Sequence, residues 1–304
     1  MNYLIIGAGG TGGCLGAHMA RGGLDVTLIA RGQHLAALQQ NGLTLVPSGG
    51  AAYTVPVQAT DSEHYQGQPD VVFLCVKGYS LDALVPFLQR ICTKDTVVIP
   101  ILNIYGTGGR LQPSLPESLV TDGCIYVAAS IQSPGVIAMQ GEILRVVYGP
   151  RTPEEYRPVL KDIQADLTRC GVKAQLSRNI QRDALQKFSY VSPAAACGVY
   201  YDVKAEAMQR PGPERDTFTA LIREIDALAE AMGHPFRTSM VRANLLILDA
   251  LSPDASTSMQ RDLWAGHESE VDGLIFEVVR LGQRYQVPTP TYCMVARKLG
   301  YVSC

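Results

Sequence analysis

The densest chemical signal in the chain is Gly7-Ala8-Gly9-Gly10-Thr11-Gly12, which fits G-x-G-x-x-G. Such a loop cradles a pyrophosphate. The first glycine permits a tight turn and the second lets the backbone approach the phosphates. The third lets the following helix pack close on the preceding strand, and the helix N-terminus attracts the anion. The pattern is informative only between a strand and a helix. Here Tyr3-Leu4-Ile5-Ile6 is a short apolar run, and residues 11–21 read as helix. A dinucleotide is the expected ligand, a nicotinamide or a flavin one. The end of the second strand bears on which. NAD sites usually place an acid there to hold the ribose hydroxyls. In this chain Asp25-Val26-Thr27-Leu28-Ile29-Ala30 runs into Arg31, and Asp25 is at the wrong end. A guanidinium pairs with a 2′-phosphate, and no carboxylate is placed to repel it. The expected cofactor is therefore NADP (NADPH), although Arg31 also reads as a solvated surface arginine.

These residues need elements to position them. Strand two is followed by a helix over residues 33–40, stopped by Asn41-Gly42. Residues 43–46 and 53–57 read as a hairpin around Pro47-Ser48-Gly49-Gly50. The uninterrupted apolar run of residues 71–76 fits a parallel strand buried on both faces. Residues 81–90 are helical and 96–102 form the next strand. Lys77 and Asn103 follow the strands over 71–76 and 96–102, at the strand ends where ligands bind in open α/β sheets. Residues 123–130, 135–139 and 144–148 read as antiparallel strands finishing the sheet, followed by a helix over 153–170 and a strand over 172–176. From Asn179 the pattern changes to apolar residues at three-four spacing, over 181–187, 216–231, 238–251 and 269–285. The expected fold is an α/β Rossmann-type N-terminal domain, residues 1–178, followed by an all-α C-terminal domain, residues 179–304.

With these elements in place, the sequence resembles the ketopantoate reductase (2-dehydropantoate 2-reductase) family along nearly its whole length. The resemblance rests on Gly7 to Gly12, Arg31, Val76-Lys77, Leu102-Asn103-x-x-Gly106, Lys187, Ser258-Met259-x-x-Asp262 and Glu270-Val271-Asp272. It implies reduction of ketopantoate to pantoate with NADPH, on the way to pantothenate and coenzyme A, in a cleft between two domains. By position, Lys187 is implied to be the general acid, and Glu270 the acid that holds substrate and orients that lysine. Ser258 is implied to bind the substrate carboxylate, with Asp262 in the same motif. Lys77 and Asn103 are implied to lie near the nicotinamide, Asn103 also facing the substrate. The chemistry asks for such groups: hydride transfer to a ketone builds negative charge on oxygen, which a nearby cation stabilises and protonates.

One feature departs from the family pattern, which has an asparagine four and eight residues after the lysine. Here those positions are Val191 and Ala195, and Ser192-Pro193 reads as a break in the helix. Loss of amides that recognise a substrate hydroxyl changes selectivity. Three readings stand: a ketopantoate reductase, an NADPH-dependent reductase of another 2-oxo acid or an imine, and a non-catalytic NADP-binding sensor. Retention of Lys187, Ser258 and Glu270 speaks against the last.

Composition narrows the partners. With 47% apolar and 18% charged residues over 304 positions and a net charge of -2, the chain can build a sizeable core. It lacks the basic excess that nucleic acid or an anionic membrane would favour. The eight cysteines (Cys14, Cys75, Cys92, Cys124, Cys170, Cys197, Cys293, Cys304) include no C-x-x-C, and no H-E-x-x-H occurs. They read as reduced thiols, with no metal site. The start of the chain has no early cation and long apolar stretch of a secretory signal. The expectation is a cytoplasmic protein acting on a small 2-oxo acid. The helical faces after residue 216 suit a homodimer and suit packing within one chain equally.

Overall fold

The computed structural model describes residues 1–303, so Cys304 lies outside the described residues. The chain divides into two compact units: Met1–Leu102 with Gly106–Ile180, and Asn103–Tyr105 with the residues from Gln181 onward.

The first unit opens with β1 (Asn2–Ile6), α1 (Gly10–Arg21), β2 (Asp25–Ile29) and α2 (Gly32–Asn41). A hairpin follows, β3 (Leu43–Val46) and β4 (Tyr53–Val55), then β5 (Gln58–Thr60), β6 (Val71–Leu74), α3 (Leu81–Ile91), β7 (Val97–Pro100), α4 (Thr107–Leu111) and β8 (Leu119–Val120). Six strands make a wholly parallel sheet in the order β5-β2-β1-β6-β7-β8. Alternate residues serve two cores. Tyr3, Ile5, Val71, Phe73, Val97 and Ile99 face one, and Leu4, Ile6, Val72, Leu74 and Val98 face the other, with Leu81, Leu88 and Ile91 of α3. Strands covered on both faces carry no polar alternation, which is why they read as unbroken apolar runs.

The next three expected strands do not finish this sheet. They are two long strands, β9 (Asp122–Ser133) and β10 (Val136–Gly149), paired antiparallel in a second sheet. Along its other edge β10 pairs in parallel with β3 and then with β11 (Lys173–Leu176). Gly141, between the strands expected over 135–139 and 144–148, has φ +71° and lies where the register shifts between Gln140 and Arg145. It marks a bulge within one strand rather than the end of one. The expected helix over 153–170 is also shorter: a 3₁₀ turn spans Pro153–Glu155 and α5 spans Val159–Arg169. Pro158 disfavours helical backbone at Arg157, so the helix starts after it. Helix α1 belongs to the core shared by the two sheets. A Cβ on Gly10 would stand 2.2 Å from the Ala129 carbonyl oxygen of β9. No helix among the described residues is long and apolar enough to cross a membrane.

The second unit is helical: α6 (Ile180–Tyr201), α7 (Ala205–Gln209), α8 (Pro213–Ala231), α9 (Met240–Asp249), α10 (Ser258–Trp264), a π-turn over Asp272–Phe276 running into α11 (Glu277–Tyr285), and α12 (Pro290–Lys298). Its core gathers Phe188, Phe218, Leu221, Ile225, Leu274, Ile275, Val278 and Tyr292.

Helix α6 overturns the expected break at Ser192-Pro193, for it runs through Pro193. An interior proline removes one ladder bond and crowds the carbonyl four residues back, at a cost of about 3 kcal/mol. That carbonyl belongs to Ser189. It accepts instead from Nδ2 of the buried Asn244 at 2.8 Å, so no polar group is stranded. Ser192 is also held: its hydroxyl donates to the Leu274 carbonyl at 2.5 Å and meets the Tyr292 hydroxyl at 2.6 Å. Partners from three other helical segments thus carry α6 past its proline.

Candidate active site

In the first unit, Gly7 has φ +100°, a backbone that side-chain-bearing residues rarely adopt. The N–H groups of Gly7 and Ala8 both donate to the Ile29 carbonyl at 3.2 Å, folding the loop back on β2. A Cβ on Gly12 would stand 2.1 Å from the Gly7 carbonyl oxygen and 2.9 Å from Ile5, so only glycine lets α1 pack this close. Gly9 differs: nothing lies within 4 Å of where its Cβ would be. Its glycine is unexplained by protein contacts and leaves open space beside the first turn of α1. No side chain caps that turn and no acid lies in it. Its N–H groups have no partner within the helix. The residues present therefore fit a dinucleotide pyrophosphate.

Arg31 is the exposed N-cap residue of α2, two residues past the end of β2, and the first turn of α2 contains no acid. Lys77 precedes the 3₁₀ turn Gly78–Ser80 beyond the end of β6. Sequence reasoning missed His34, which stands three residues after Arg31. Its Nε2 is 2.8 Å from the Ala8 carbonyl oxygen, and its Nδ1 is 3.0 Å from the Gly135 amide nitrogen. A single histidine near a helix start carries no signal of this kind, because both partners come from distant segments.

In the second unit, Lys187 and Asn103 meet although 84 positions apart. Lys187 Nζ donates to Asn103 Oδ1 at 2.6 Å. The neighbours of Asn103 are seated on the same unit. Ile104 lies over Gly273 of the π-turn, where an added Cβ would stand 2.4 Å from its Cδ1 and 2.7 Å from its Cγ1. The Tyr105 ring packs against Phe188, with centroids 6.1 Å apart. Three consecutive residues are thus pinned to the helix that carries Lys187 and to the π-turn. This explains why the Asn103–Tyr105 segment groups with the helical unit.

Glu270 is buried at 4% exposure, and its backbone carbonyl accepts from Leu274 N–H at the entry to the π-turn. The expected helix over 269–285 is interrupted there by five residues of π geometry. Ser258 is the first residue of α10, and Asp262 lies one turn further along it; both are half-buried. Thr257 and Gln260 form a capping box, and Gln260 also donates to the Val203 carbonyl at 2.7 Å, fixing where α10 begins. Val191 and Ala195 follow Lys187 at helical spacing on the continuous α6. Ala195 is wholly buried in the core and Val191 is half-buried against it.

A parallel sheet with a glycine-rich turn between its first strand and helix, followed by a helical unit holding a lysine against an amide, fits a nicotinamide-dependent oxidoreductase. Comparison with known proteins gives the same class and refines it. The family model "Ketopantoate reductase PanE/ApbA" matches residues 3–153, and "Ketopantoate reductase PanE/ApbA C terminal" matches residues 179–302. The chain belongs to the ketopantoate reductase family. A 2-dehydropantoate 2-reductase from Mesorhizobium japonicum is 27% identical, covering 96% of this chain and 94% of that protein. A PanE/ApbA family ketopantoate reductase structure from Ralstonia eutropha superposes with a TM-score of 0.87 at 25% identity, covering 98% of this chain and 97% of that one. A D-mandelate dehydrogenase bound to NADH and anilino(oxo)acetate shares the fold, with a TM-score of 0.87 at 20% identity over 98% of this chain and 96% of that one.

Proposed function

We propose that this chain reduces 2-dehydropantoate to pantoate with NADPH, with Lys187 as the general acid. The observation that carries the reading is the 2.6 Å hydrogen bond from Lys187 Nζ to Asn103 Oδ1, on a segment seated against the same helical unit. A lysine ammonium has three donors, and one committed to a fixed amide oxygen sets the direction of the head group. NADPH, when bound, supplies a hydride to the 2-keto carbon. As negative charge grows on the substrate oxygen, Lys187 stabilises it and passes it a proton, worth about 10²–10⁴-fold in rate. Glu270 holds the substrate and orients the lysine, Ser258 takes the substrate carboxylate, and Asp262 completes the substrate set. Gly7 through Gly12 receive the pyrophosphate, Arg31 the 2′-phosphate, and Lys77 and Asn103 border the nicotinamide. The preference for NADPH draws support from Arg31 at the end of β2 with no acid beside it in α2.

A second reading keeps the mechanism and changes the substrate. Because α6 is unbroken, Val191 and Ala195 stay in helical register with Lys187 and offer no amide. That favours a 2-oxo acid with fewer hydroxyls than ketopantoate. The test is loss of nicotinamide absorbance with purified protein, NADPH, and ketopantoate beside a panel of 2-oxo acids. Turnover of ketopantoate well above the panel supports the first reading, and turnover confined to another acid supports the second. Lys187→Ala should lower kcat by about 10²-fold or more with NADPH affinity nearly intact. Parental turnover in that variant removes Lys187 from the mechanism.

A further inference from the structure

His34 lies in the first turn of α2, half-buried, with both ring nitrogens engaged by backbone. The protonation pattern follows from the partners. The Gly135 amide can only donate, so Nδ1 accepts its hydrogen at 3.0 Å and carries no proton. The ring proton is then on Nε2, which donates to the Ala8 carbonyl at 2.8 Å. His34 is a neutral bridge with one defined tautomer.

Each end of the bridge is anchored to something specific. Gly135 forms the turn between β9 and β10, and its own carbonyl accepts from Thr44 N–H of β3 at 2.9 Å. The turn is therefore fixed to the second sheet independently of His34. At the other end, the Ala8 carbonyl belongs to the Ala8–Gly9 peptide. In a trans peptide the C=O and the following N–H point in opposite directions. A donor that holds the Ala8 oxygen toward α2 thus turns the Gly9 N–H away from α2. The N–H groups of Gly7 and Ala8 are already given to Ile29. Gly9 is accordingly the first amide of the loop free of that constraint, and open space lies beside it.

We propose that His34 is a positioning residue for the dinucleotide: it sets the Ala8–Gly9 peptide so that the loop offers the Gly9 N–H to the pyrophosphate before the cofactor arrives. The inference rests on the reading of Gly7 through Gly12 as a dinucleotide site. The pyrophosphate is common to NADPH and NADH, so His34 acts on both equally, whereas Arg31 discriminates between them.

The ring's two bonds are separated by two amide substitutions. His34→Gln places an amide donor near the position of Nε2 and retains the bond to Ala8. His34→Asn places an oxygen near the position of Nδ1 and retains only the bond from Gly135. Dissociation constants for NADPH and NADH are measured by cofactor fluorescence for the parent, His34→Ala, His34→Gln and His34→Asn, alongside thermal melts and kcat at saturating cofactor. His34→Ala and His34→Asn should weaken both cofactors by the same factor, about threefold to tenfold for one hydrogen bond. His34→Gln should stay within twofold of the parent, and kcat should hold in all variants that bind. Recovery by Asn but not Gln would overturn the proposal, because the residue would then merely tie α2 to the second sheet. Weakening of NADPH alone would also overturn it, placing His34 at the 2′-phosphate. A parent that binds neither nucleotide overturns the dinucleotide reading itself, which is a different failure from tight binding unmoved by His34→Ala.

Discussion

Gly273→Ala is the sharpest perturbation of the helical unit that leaves every proposed reacting side chain unsubstituted. Two effects oppose each other. Alanine improves helix propensity by up to about 1 kcal/mol over glycine. Against that, the new methyl would stand 2.4, 2.7 and 3.1 Å from Cδ1, Cγ1 and Cγ2 of Ile104. Three atoms of one side chain cannot all swing aside, because a β-branched residue is stiff at χ1. Overpacking of this kind costs about 1–3 kcal/mol, so it outweighs the gain. Relief comes from displacing the Ile104 backbone, which carries Asn103 with it. A shift of about 1 Å in a group that orients a proton donor is worth up to about 10²-fold. We expect kcat to fall by about 10- to 100-fold, with a smaller change in the dissociation constant for NADPH, since the glycine-rich loop proposed to hold its pyrophosphate lies in the other unit. The assay is steady-state oxidation of NADPH with the 2-oxo acid the parent turns over best. Ile104→Ala removes all three clashing atoms, so the double variant should recover activity relative to Gly273→Ala alone. Parental kcat in Gly273→Ala, or a double variant no better than the single, would refute the claim that Ile104 on Gly273 sets Asn103 against Lys187.

Three further outcomes are expected. Arg31→Ala should narrow the preference for NADPH over NADH by weakening NADPH alone, and equal affinities in the parent would remove Arg31 from the site. Asn244→Leu should strand the Ser189 carbonyl and lower stability by about 1–3 kcal/mol in urea unfolding; adding Pro193→Ala restores the missing N–H and should return most of that loss, and no recovery would show that Asn244 acts otherwise. His18 and His234 are both pushed below the ordinary histidine range, chiefly by burial, and each has a buried ring nitrogen with no partner. The unfolded chain therefore binds protons that the folded chain refuses as pH falls below about 6.5. Their contribution to stability is present above that pH and is lost on acidification, so melts taken at decreasing pH should show a falling Tm, less steep in His18→Gln.

The parts of this molecule that were readable in the sequence are those decided by local rules. Strand β1, the glycine turn and α1 follow one another within a single βαβ unit, and buried parallel strands announce themselves by unbroken apolar runs. Failures came where a distant partner overrode the local rule. Pro193 predicts a helix end, yet Asn244, 51 positions after it, takes the carbonyl that proline leaves bare. Residues 135–139 and 144–148 read as two separate strands, yet β10 runs through both and through Gly141 because β9, β3 and β11 all pair with it. The ketopantoate-type motifs gave Lys187 and Asn103 separate roles, and nothing in either segment announced that one holds the other.

That pairing bears on how Lys187, the proposed general acid, is held. Asn103 follows a strand of the parallel sheet, so a sheet-based reading assigns it to the nucleotide. Its fixed contacts run instead to the helical unit: Asn103 to Lys187, Ile104 to Gly273, Tyr105 to Phe188. Asn103, Ile104 and Tyr105 thus each have a partner within the helical unit, an arrangement that would hold the proposed proton donor in one direction. The π-turn serves the same end. It places Gly273 under Ile104, and Ser192 ties its Leu274 carbonyl back to α6, the helix that bears Lys187. Lysine, amide and π-turn therefore form one connected set, and its precision depends on a glycine and a serine that take no part in the chemistry.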